Sequence, residues 1–185
     1  MHKGKLFVIS GASGVGKSTV LAKVMAARND LLFSVSATTR QPRPGEQDAV
    51  SYYFVSKSKF EDMIKNNEFL EYDAHMDNYY GTPKFQVEEK LQKGHVILDI
   101  EPNGAFNVRK AWPEATLIFI APPSMEALKQ RLCNRGDTSA EQIQMRLDRA
   151  QWEMEQGSRY DYQVVNDQVE TCAAKILEII ADKTK

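Results

Sequence analysis

The chain has 185 residues, which supports one well-packed core and is too short for two ordinary domains. Hydrophobic residues make up 42% and charged residues 26% of the sequence, a composition typical of a globular protein and not of a disordered one. The formal net charge of −1 disfavours nucleic acid or an anionic membrane as the main partner, because both attract proteins with a strong basic excess.

No apolar run approaches the roughly 20 residues that cross a bilayer, and the first residues lead into a strand without the organisation of a signal peptide. We therefore expect a cytoplasmic protein with no membrane or nucleic-acid partner. The two cysteines, Cys133 and Cys172, lie far apart in the sequence. Together with only three histidines, this pattern favours lone thiols over a disulfide framework or a zinc site.

Apolar strands alternate with helices along most of the chain. The pattern predicts strands at residues 6–10, 95–100, 116–120 and 162–165, and helices at residues 19–27, 104–111, 122–136, 139–156 and 169–180. Between the first helix and the second apolar strand it predicts short, polar-faced strands at residues 33–37, 52–56, 69–74 and 78–80, and helices at residues 58–66 and 82–94.

Capping residues mark three of the predicted helix starts. The sequences at 58–61 and 139–142 have the spacing of a capping box, with serine first and glutamate or glutamine three residues later. Thr82 and Pro83 stand where a cap and a first-turn proline are expected. We therefore expect helices to begin at these three places.

The alternation of strands and helices predicts an α/β fold in three layers, a parallel core sheet covered by helices on both faces, with ligands at the carboxyl ends of the strands. Residues 34–81 break the alternation and are predicted to form a small β-rich insertion. The whole chain, residues 1–185, is expected to form a single domain.

The stretch between the first strand and the first helix fits the phosphate-loop pattern G-x-x-x-x-G-K-[ST] at every defined position. Glycine lets the backbone turn so that successive N–H groups point at one anion. The lysine supplies charge for the β and γ phosphates, and the serine supplies a hydroxyl for Mg²⁺. The predicted ATP-binding residues here are Gly11, Ala12, Ser13, Gly14, Val15, Gly16, Lys17 and Ser18.

The alternative is a glycine-rich turn that binds nothing. The apolar strand before the motif and the helix-forming run after it are the context that phosphate binding requires, so they favour the binding function. Asp99, at the end of an apolar strand, is then predicted to hold Mg²⁺ or its water together with Ser18. A carboxylate at that place could also cap a loop.

Two sets of arginines are candidate oxyanion ligands. Arg40 and Arg43 flank a proline in a loop that also offers Glu46 and, shortly after, Tyr52. Two guanidinium forks held this way can clamp a phosphate or a carboxylate, although an isolated R-x-x-R is more often a basic surface loop.

The second set lies on the two predicted helices that follow residue 122. Arg131 and Arg135 are spaced i, i+4, and Arg146 and Arg149 are spaced i, i+3, so each pair shares one helix face. Such arginines can neutralise charge during phosphoryl transfer. Alternatively they are solvated faces paired with acidic neighbours, which would be favoured if the arginines stood alone.

Taken together, these residues resemble the guanylate kinases, the enzymes that phosphorylate GMP from ATP. The resemblance extends over nearly the whole chain and is carried by these strings, in order: SGASGVGKST, FSVSATTRQPRPGE, YYFVS, FLEY, NYYGTP, VILDI, IFIAPPS, RLCNRG and VVND. The strings SVSATTR-x-PRPGE and NYYGTP are far more specific than the phosphate loop.

The resemblance implies a core (residues 1–33, 82–124 and 157–185), a GMP-binding insertion (residues 34–81) and a mobile helical lid (residues 125–156). It implies ATP and GMP as substrates, with dGMP as a further acceptor, Mg²⁺ bound with the ATP, and direct in-line transfer without a covalent intermediate. The oligomeric state does not follow from it.

The resemblance also implies roles for individual residues. The GMP phosphate would be held by Arg40, Arg43, Tyr52 and Tyr80, and the guanine by Ser36, Glu71 and Thr82. Glu46, Asp99 and Glu101 complete the GMP-binding set. Transfer would be assisted by Lys17, Arg40, Arg131 and Arg146, with Arg135 and Asn166 near the ATP.

The chemistry of guanine supports the role of Glu71. Guanine offers two adjacent donors, N1–H and the exocyclic amine, to a single carboxylate, and adenine offers no such pair. A site built on this carboxylate should therefore discriminate by roughly 10⁴.

Five positions depart from the family pattern. Glu101 replaces a usual aspartate, Pro102-Asn103 replaces a bulky residue and a glutamine, and Ala49 and Asp77 stand where glycine is common. Glu101 can still accept hydrogen bonds, one methylene further out, so we expect a changed affinity for GMP and not a lost activity. Two rival functions are another P-loop small-molecule kinase, such as a ribose bisphosphate kinase, and a catalytically silent guanylate-kinase-like module that binds phosphopeptides.

Overall fold

The computed structural model describes residues 4–75, 77–133 and 139–185. Its strands are β1 Leu6–Gly11, β2 Leu31–Phe33, β3 Ala37–Thr38, β4 Tyr53–Phe54, β5 Phe69–His75, β6 Asn78–Pro83, β7 His95–Asp99, β8 Thr116–Ala121 and β9 Tyr162–Val165. Its helices are α1 Lys17–Ala27, α2 Lys57–Lys65, α3 Lys84–Leu91, α4 Pro102–Ala111, α5 Met125–Cys133, α6 Ala140–Gln156 and α7 Val169–Lys183, with a 3₁₀ turn at Gly157–Arg159.

Two sheets organise these elements. The larger has five strands in the order β2-β7-β1-β8-β9, and the pairs β2–β7 and β8–β9 are parallel. Its three central strands, β7, β1 and β8, are almost wholly buried, as expected for a sheet covered on both faces. The predicted α/β fold with a parallel core sheet is thus confirmed.

The smaller sheet has the order β4-β3-β6-β5 and comes from the stretch that was expected to be β-rich. Strands β5 and β6 form an antiparallel pair, β3 pairs antiparallel with β6, and β3 with β4 is parallel. The division of the chain into core, GMP-binding insertion and lid stays a prediction.

The described chain forms two compact units. The first comprises the described residues up to Phe7 together with Asp30–Ala115. Phe60 lies at the centre of an aromatic core in this unit, stacked on Phe69 at 4.3 Å and on Tyr79 at 5.2 Å between ring centroids. A Cβ on Gly81 would lie 2.8 Å from the Phe69 ring, so this packing requires glycine in β6.

The second unit comprises Val8–Asn29 and the described residues from Thr116 onward. Helix α7 contacts α1 and buries a stripe made of Cys172, Ala173, Ile176 and Ile180, while Val169 is only partly buried. The two cysteines are free thiols, Cys133 exposed and Cys172 buried. Within the described ranges, no helix combines the length and apolarity needed to cross a bilayer.

The strand predicted at residues 33–37 is wrong, because β2 ends at Phe33 and β3 begins at Ala37. The side chain of Gln86 binds the intervening backbone. Its Oε1 accepts the Val35 N–H at 2.6 Å and its Nε2 donates to the Val35 carbonyl at 3.2 Å. These bonds satisfy the backbone groups that a neighbouring strand would otherwise pair, so the strand is interrupted.

The predicted helix starts were right in one case of three. At Ser139 the capping box has both of its bonds, to and from Gln142. Helix α2 instead begins after Ser56, whose Oγ accepts the Lys59 N–H at 3.2 Å, so the predicted box starting at residue 58 is wrong. Thr82 does not cap α3, because it belongs to β6 and its hydroxyl binds elsewhere.

Ala49 and Asp77, two of the departures from the family pattern, have left-handed backbone conformations, with φ of 61° and 63°. A non-glycine residue there costs about 1–2 kcal/mol, less for aspartate than for alanine. Glycine at either position would avoid this cost, which is the physical reason why it suits both turns.

Ala49→Gly is therefore expected to raise the free energy of unfolding by about 0.5–1 kcal/mol, after allowing for the greater freedom of glycine in the unfolded chain. Urea denaturation would measure it. Ala174→Gly, at an exposed position in α7, is the matched control and should cost about 1 kcal/mol. Equal destabilisation by both substitutions would contradict the strain at Ala49.

Candidate active site

The glycine-rich stretch forms a tight turn between β1 and α1 in the second unit. Gly14 and Gly16 have φ of 82° and 89°, in the left-handed region, and a Cβ on Gly14 would lie 2.8 Å from Leu132 Cδ2. Gly16 is also the N-cap of α1. The turn thus depends on glycine, and α1 begins with the half-buried Lys17 and the exposed Ser18.

Bonds from distant residues fix the shape of this loop. The Ala12 N–H donates to the Ile120 carbonyl at 3.2 Å, and Asn166 Nδ2 donates to the Val15 carbonyl at 2.8 Å. The Ser13 N–H donates to Glu153 at 2.7 Å. The predicted ATP-binding Asn166 is therefore brought against the loop. One loop amide, at Ser13, already binds a protein carboxylate.

Arg131 of α5 contacts the loop and the strand end beside it. Its Nη2 donates to the Asn166 carbonyl at 3.0 Å and its Nη1 reaches the Val15 carbonyl at 3.5 Å. Arg146 is exposed on α6, and Arg149 pairs with Glu153 at 3.2 Å. Arg135, also predicted near ATP, lies outside the described residues.

In the first unit, Arg40 and Glu46 form a bidentate ion pair. The two guanidinium Nη atoms lie 2.8 and 2.9 Å from the two carboxylate oxygens, and Nη1 also donates to the Gln41 carbonyl at 2.8 Å. The side chains are 14% and 22% exposed. The hydrogen bond from Arg40 holds the pKa of Glu46 down at about 2, and the pair raises the pKa of Arg40.

Aromatic side chains surround this pair. The Arg40 guanidinium lies 5.3 Å from the centroid of the Tyr52 ring, which meets the Tyr80 ring edge to face at 6.1 Å. Burial raises the pKa of Tyr52, and the nearby Tyr80 and Asp99 raise it further. Arg40, Tyr52, Tyr80 and Asp99, all predicted GMP ligands, are thus brought together. The side chain of Arg43 is exposed, while its N–H donates to Glu46 at 2.7 Å.

Glu71 of β5 is a buried carboxyl, 7% exposed. Thr82 Oγ1 donates to its Oε1 at 2.6 Å, and a Cβ on Gly104 would lie 2.8 Å from its Oε2. Burial, with a smaller contribution from the nearby charge of Asp73, raises the pKa of Glu71 to about 7, although the bond from Thr82 opposes the rise. The glycine in α4 therefore leaves the room that this carboxyl occupies.

The remaining predicted ligands are less enclosed. Ser36 is half-buried between β2 and β3, and its carbonyl accepts the Tyr53 N–H at 2.9 Å. Glu101 is exposed at the N-cap of α4, and its side chain does not cap that helix. Asn103 Nδ2 reaches Asp73 Oδ2 at 3.4 Å.

Each unit carries one oxygen donor that was predicted to bind Mg²⁺. In the second unit it is the Ser18 hydroxyl at the start of α1, and in the first unit it is the Asp99 carboxylate at the end of β7. Mg²⁺ is usually held by one or two such protein ligands together with substrate phosphates and water. In the part of the chain that the structure describes, no three acidic, histidine or cysteine side chains gather as a metal cage.

Sequence reasoning missed two residues of these sites. Glu153 follows the buried Ala150 by three residues, so a carboxylate on the packed face of α6 was the available signal. Gly104 lies inside α4, where glycine costs about 1 kcal/mol relative to alanine. A glycine in the first turn of a helix suggests a packing or binding reason for its presence.

A parallel sheet with a glycine-dependent loop between its strand β1 and helix α1 places this chain in the class of phosphate-loop α/β proteins. The sequence model described as "Guanylate kinase" matches residues 3–183. The chain therefore belongs to the guanylate kinase family.

Curated relatives agree with this assignment. A guanylate kinase of Thermus thermophilus is 50% identical over 179 residues, covering 96% of this chain and 81% of that protein. A guanylate kinase of Clostridium tetani is 50% identical over 182 residues, covering 98% of this chain and 87% of that protein.

One solved structure supports the same assignment. The crystal structure of guanylate kinase from Anaplasma phagocytophilum has a TM-score of 0.79 and 33% identity, covering 100% of this chain and 88% of that one. The structure of a fragment of tight junction protein 3 is 13% identical, with a TM-score of 0.51. The match covers 100% of this chain and 58% of that one, and it shows a common fold alone.

Proposed function

We propose that this chain transfers the γ-phosphoryl group of ATP to GMP, forming ADP and GDP, and that dGMP serves as a second acceptor. Family membership and about 50% identity to curated guanylate kinases over nearly the whole chain support the reaction. The observation that supports the choice of base is the buried Glu71, fixed by Thr82. A location in the cytoplasm is part of the proposal.

At the donor site, the phosphate loop would surround the β and γ phosphates of ATP, with Lys17 supplying positive charge. Arg131 contacts the loop backbone, which supports a role for it close to the phosphates. Arg146 is exposed on α6, where its side chain remains available to a bound nucleotide. Asn166 would act through the loop, because its amide binds the Val15 carbonyl.

At the acceptor site, Arg40, Tyr52 and Tyr80 would bind the phosphate of GMP, with Arg43 joining them. Glu46 occupies the Nη atoms of Arg40, so its role is to orient the guanidinium that meets the phosphate. Glu71 would accept the N1–H and the exocyclic amine of guanine. Ser36, Thr82 and Glu101 would complete the recognition of the base.

The reaction would proceed by direct in-line attack of a GMP phosphate oxygen, without a covalent intermediate. The residues then have two tasks, to align the two phosphates and to balance the developing charge. Ser18 and Asp99 would hold Mg²⁺ together with the ATP, and the ion would supply positive charge to the phosphates. Lys17, Arg131, Arg40 and Arg146 would supply the remaining positive charge.

The test is ADP production from MgATP with GMP, AMP, CMP and UMP offered in turn. We expect turnover with GMP to exceed the others by about 10⁴. Turnover only with a ribose phosphate, added to the panel as a non-nucleotide acceptor, would instead indicate another small-molecule kinase. Binding of GMP without any turnover would indicate a silent module, and either result would overturn the proposal.

Glu46→Gln is expected to raise the KM for GMP about tenfold and to leave the KM for ATP unchanged, because an amide cannot hold the Arg40 fork with two charge-assisted bonds. Initial rates at varied GMP would measure it. Glu89→Gln, which breaks the exposed Glu89–Lys93 pair on α3, is the matched control and should change neither KM. Equal effects of the two substitutions would argue against an orienting role for Glu46.

The raised pKa of Glu71 predicts a pH dependence. Its folded pKa is about 7, so below pH 7 the free protein holds this carboxyl protonated and loses its paired acceptor for guanine. The KM for GMP should fall about tenfold per unit as pH rises towards 7 and level off above it. Kinetics between pH 6 and 8 would measure this dependence.

The second ionisation of the GMP phosphate, near pH 6, contributes to the same profile. Glu71→Gln removes the protein group and keeps that of the substrate, so it is the control. A wild-type profile no steeper than that of the variant would show that Glu71 does not titrate in this range.

A further inference from the structure

Glu153 joins helix α6 to the phosphate loop. Its side chain is only 4% exposed. Its Oε2 accepts the Ser13 N–H at 2.7 Å, and its Oε1 accepts Arg149 Nε at 3.2 Å. A buried carboxylate is costly unless it is bonded in this way. The two bonds therefore fix the carboxylate, and through it the amide of Ser13.

The loop is held at the two residues that flank Gly14. Glu153 binds the Ser13 N–H, and Asn166 binds the Val15 carbonyl at 2.8 Å. Gly14 itself packs closely against Leu132. Because both neighbours are anchored, the backbone of Gly14 is held at a φ of 82°. This conformation sets the direction of the loop N–H groups that follow Gly14 in the chain.

Stability alone does not explain a charged group at this place. A carboxylate next to a loop that binds a polyphosphate repels the ligand, and Arg149 offsets that repulsion by pairing with it. What the carboxylate supplies is a strong, directed bond to one loop amide. Such a bond sets the position of the remaining amides before the ligand arrives.

We propose that Glu153 is a positioning residue for the phosphates of the donor nucleotide, acting through the backbone of the phosphate loop. The inference rests on the proposed function insofar as the donor is ATP. It assigns no contact between Glu153 and the nucleotide. Its consequence is that changes at Glu153 alter the binding of the donor and leave the binding of GMP unchanged.

Glu153→Ala removes the acceptor of the Ser13 N–H and is expected to raise the KM for ATP about tenfold. Glu153→Gln keeps a carbonyl acceptor for that N–H and should raise it by a smaller factor, about threefold. The KM for GMP should stay within about twofold in both variants. Glu155→Gln, the same change at an exposed position two residues further along α6, is the matched control and should alter neither KM.

The second readout is calorimetric titration of the whole chain with MgADP, which needs no turnover. We expect the affinity for MgADP to fall more in Glu153→Ala than in Glu153→Gln. The melting temperature of each variant is measured alongside. Unchanged MgADP affinity and KM for ATP in both variants would overturn the proposal, whatever their stability. Equal losses towards ATP and GMP would overturn it too, because they indicate a general loss of structure.

The two proposals fail separately. If the unsubstituted chain binds MgADP and the variants bind it more weakly, Glu153 has its positioning role even if GMP is not phosphorylated. If GMP is phosphorylated and the variants bind MgADP normally, the proposed function stands and the role of Glu153 is wrong.

Discussion

Lys17→Ala should lower GMP-dependent ADP production by about 10³-fold, because it removes the positive charge that meets the β and γ phosphates of ATP. Lys17 is the first residue of α1, directly after the N-cap Gly16, so its position is set by the turn that forms the loop. Most of the loss should appear in kcat, since charge develops on the transferred group mainly in the transition state.

A coupled assay of ADP formation at saturating GMP measures this effect. Lys23→Ala is the matched control, since Lys23 lies on the same helix and pairs with Glu170 at 3.0 Å on the exposed surface. It should keep nearly full activity. If Lys17→Ala retained more than about a tenth of the parent rate, the loop would not act as the donor site.

Glu71→Gln should lower kcat/KM for GMP by about 10³-fold or more, because an amide offers guanine one acceptor and one donor where two acceptors are needed. The effect should be local to the base. The carboxyl is held by Thr82 and enclosed by Gly104, so the amide cannot turn away without breaking that bond.

Rates with GMP and AMP at varied concentrations measure the loss of discrimination, with the KM for ATP expected to stay within about twofold. Glu88→Gln, at an exposed position on α3, is the control and should leave kcat/KM unchanged. If the Glu71→Gln variant still preferred GMP over AMP by the same factor as the parent, residues other than Glu71 would be responsible for recognising guanine.

Features that depend on neighbouring residues could be predicted from the sequence. The alternation of apolar strands and helices indicated the parallel core sheet, and the Ser139 capping box was confirmed in both of its bonds. The turn at Gly14 and Gly16 followed from glycine's access to positive φ. Ala49 and Asp77 were noted as departures, and both have the backbone conformation that glycine would adopt without strain.

Features that depend on distant residues could not be predicted in this way. Gln86 interrupts the strand expected at residues 33–37, and its partner Val35 lies 51 positions earlier. Ser56, and not the expected Ser58, caps α2, and the local sequence offers a serine at both positions. The local sequence is compatible with several secondary structures and caps, and contacts with distant residues determine which of them forms.

The sequence by itself determined which chemical groups this chain carries, namely a glycine loop with its lysine, arginines around a proline, and a glutamate in a β-rich stretch. Only the tertiary structure decided how these groups are held. Glu46 pairs with the Arg40 guanidinium, Thr82 donates to Glu71, and Glu153 accepts the N–H of Ser13, which lies 140 positions away. Motifs record groups that are close in sequence, whereas the bonds that orient them join residues brought together by burial in a common core.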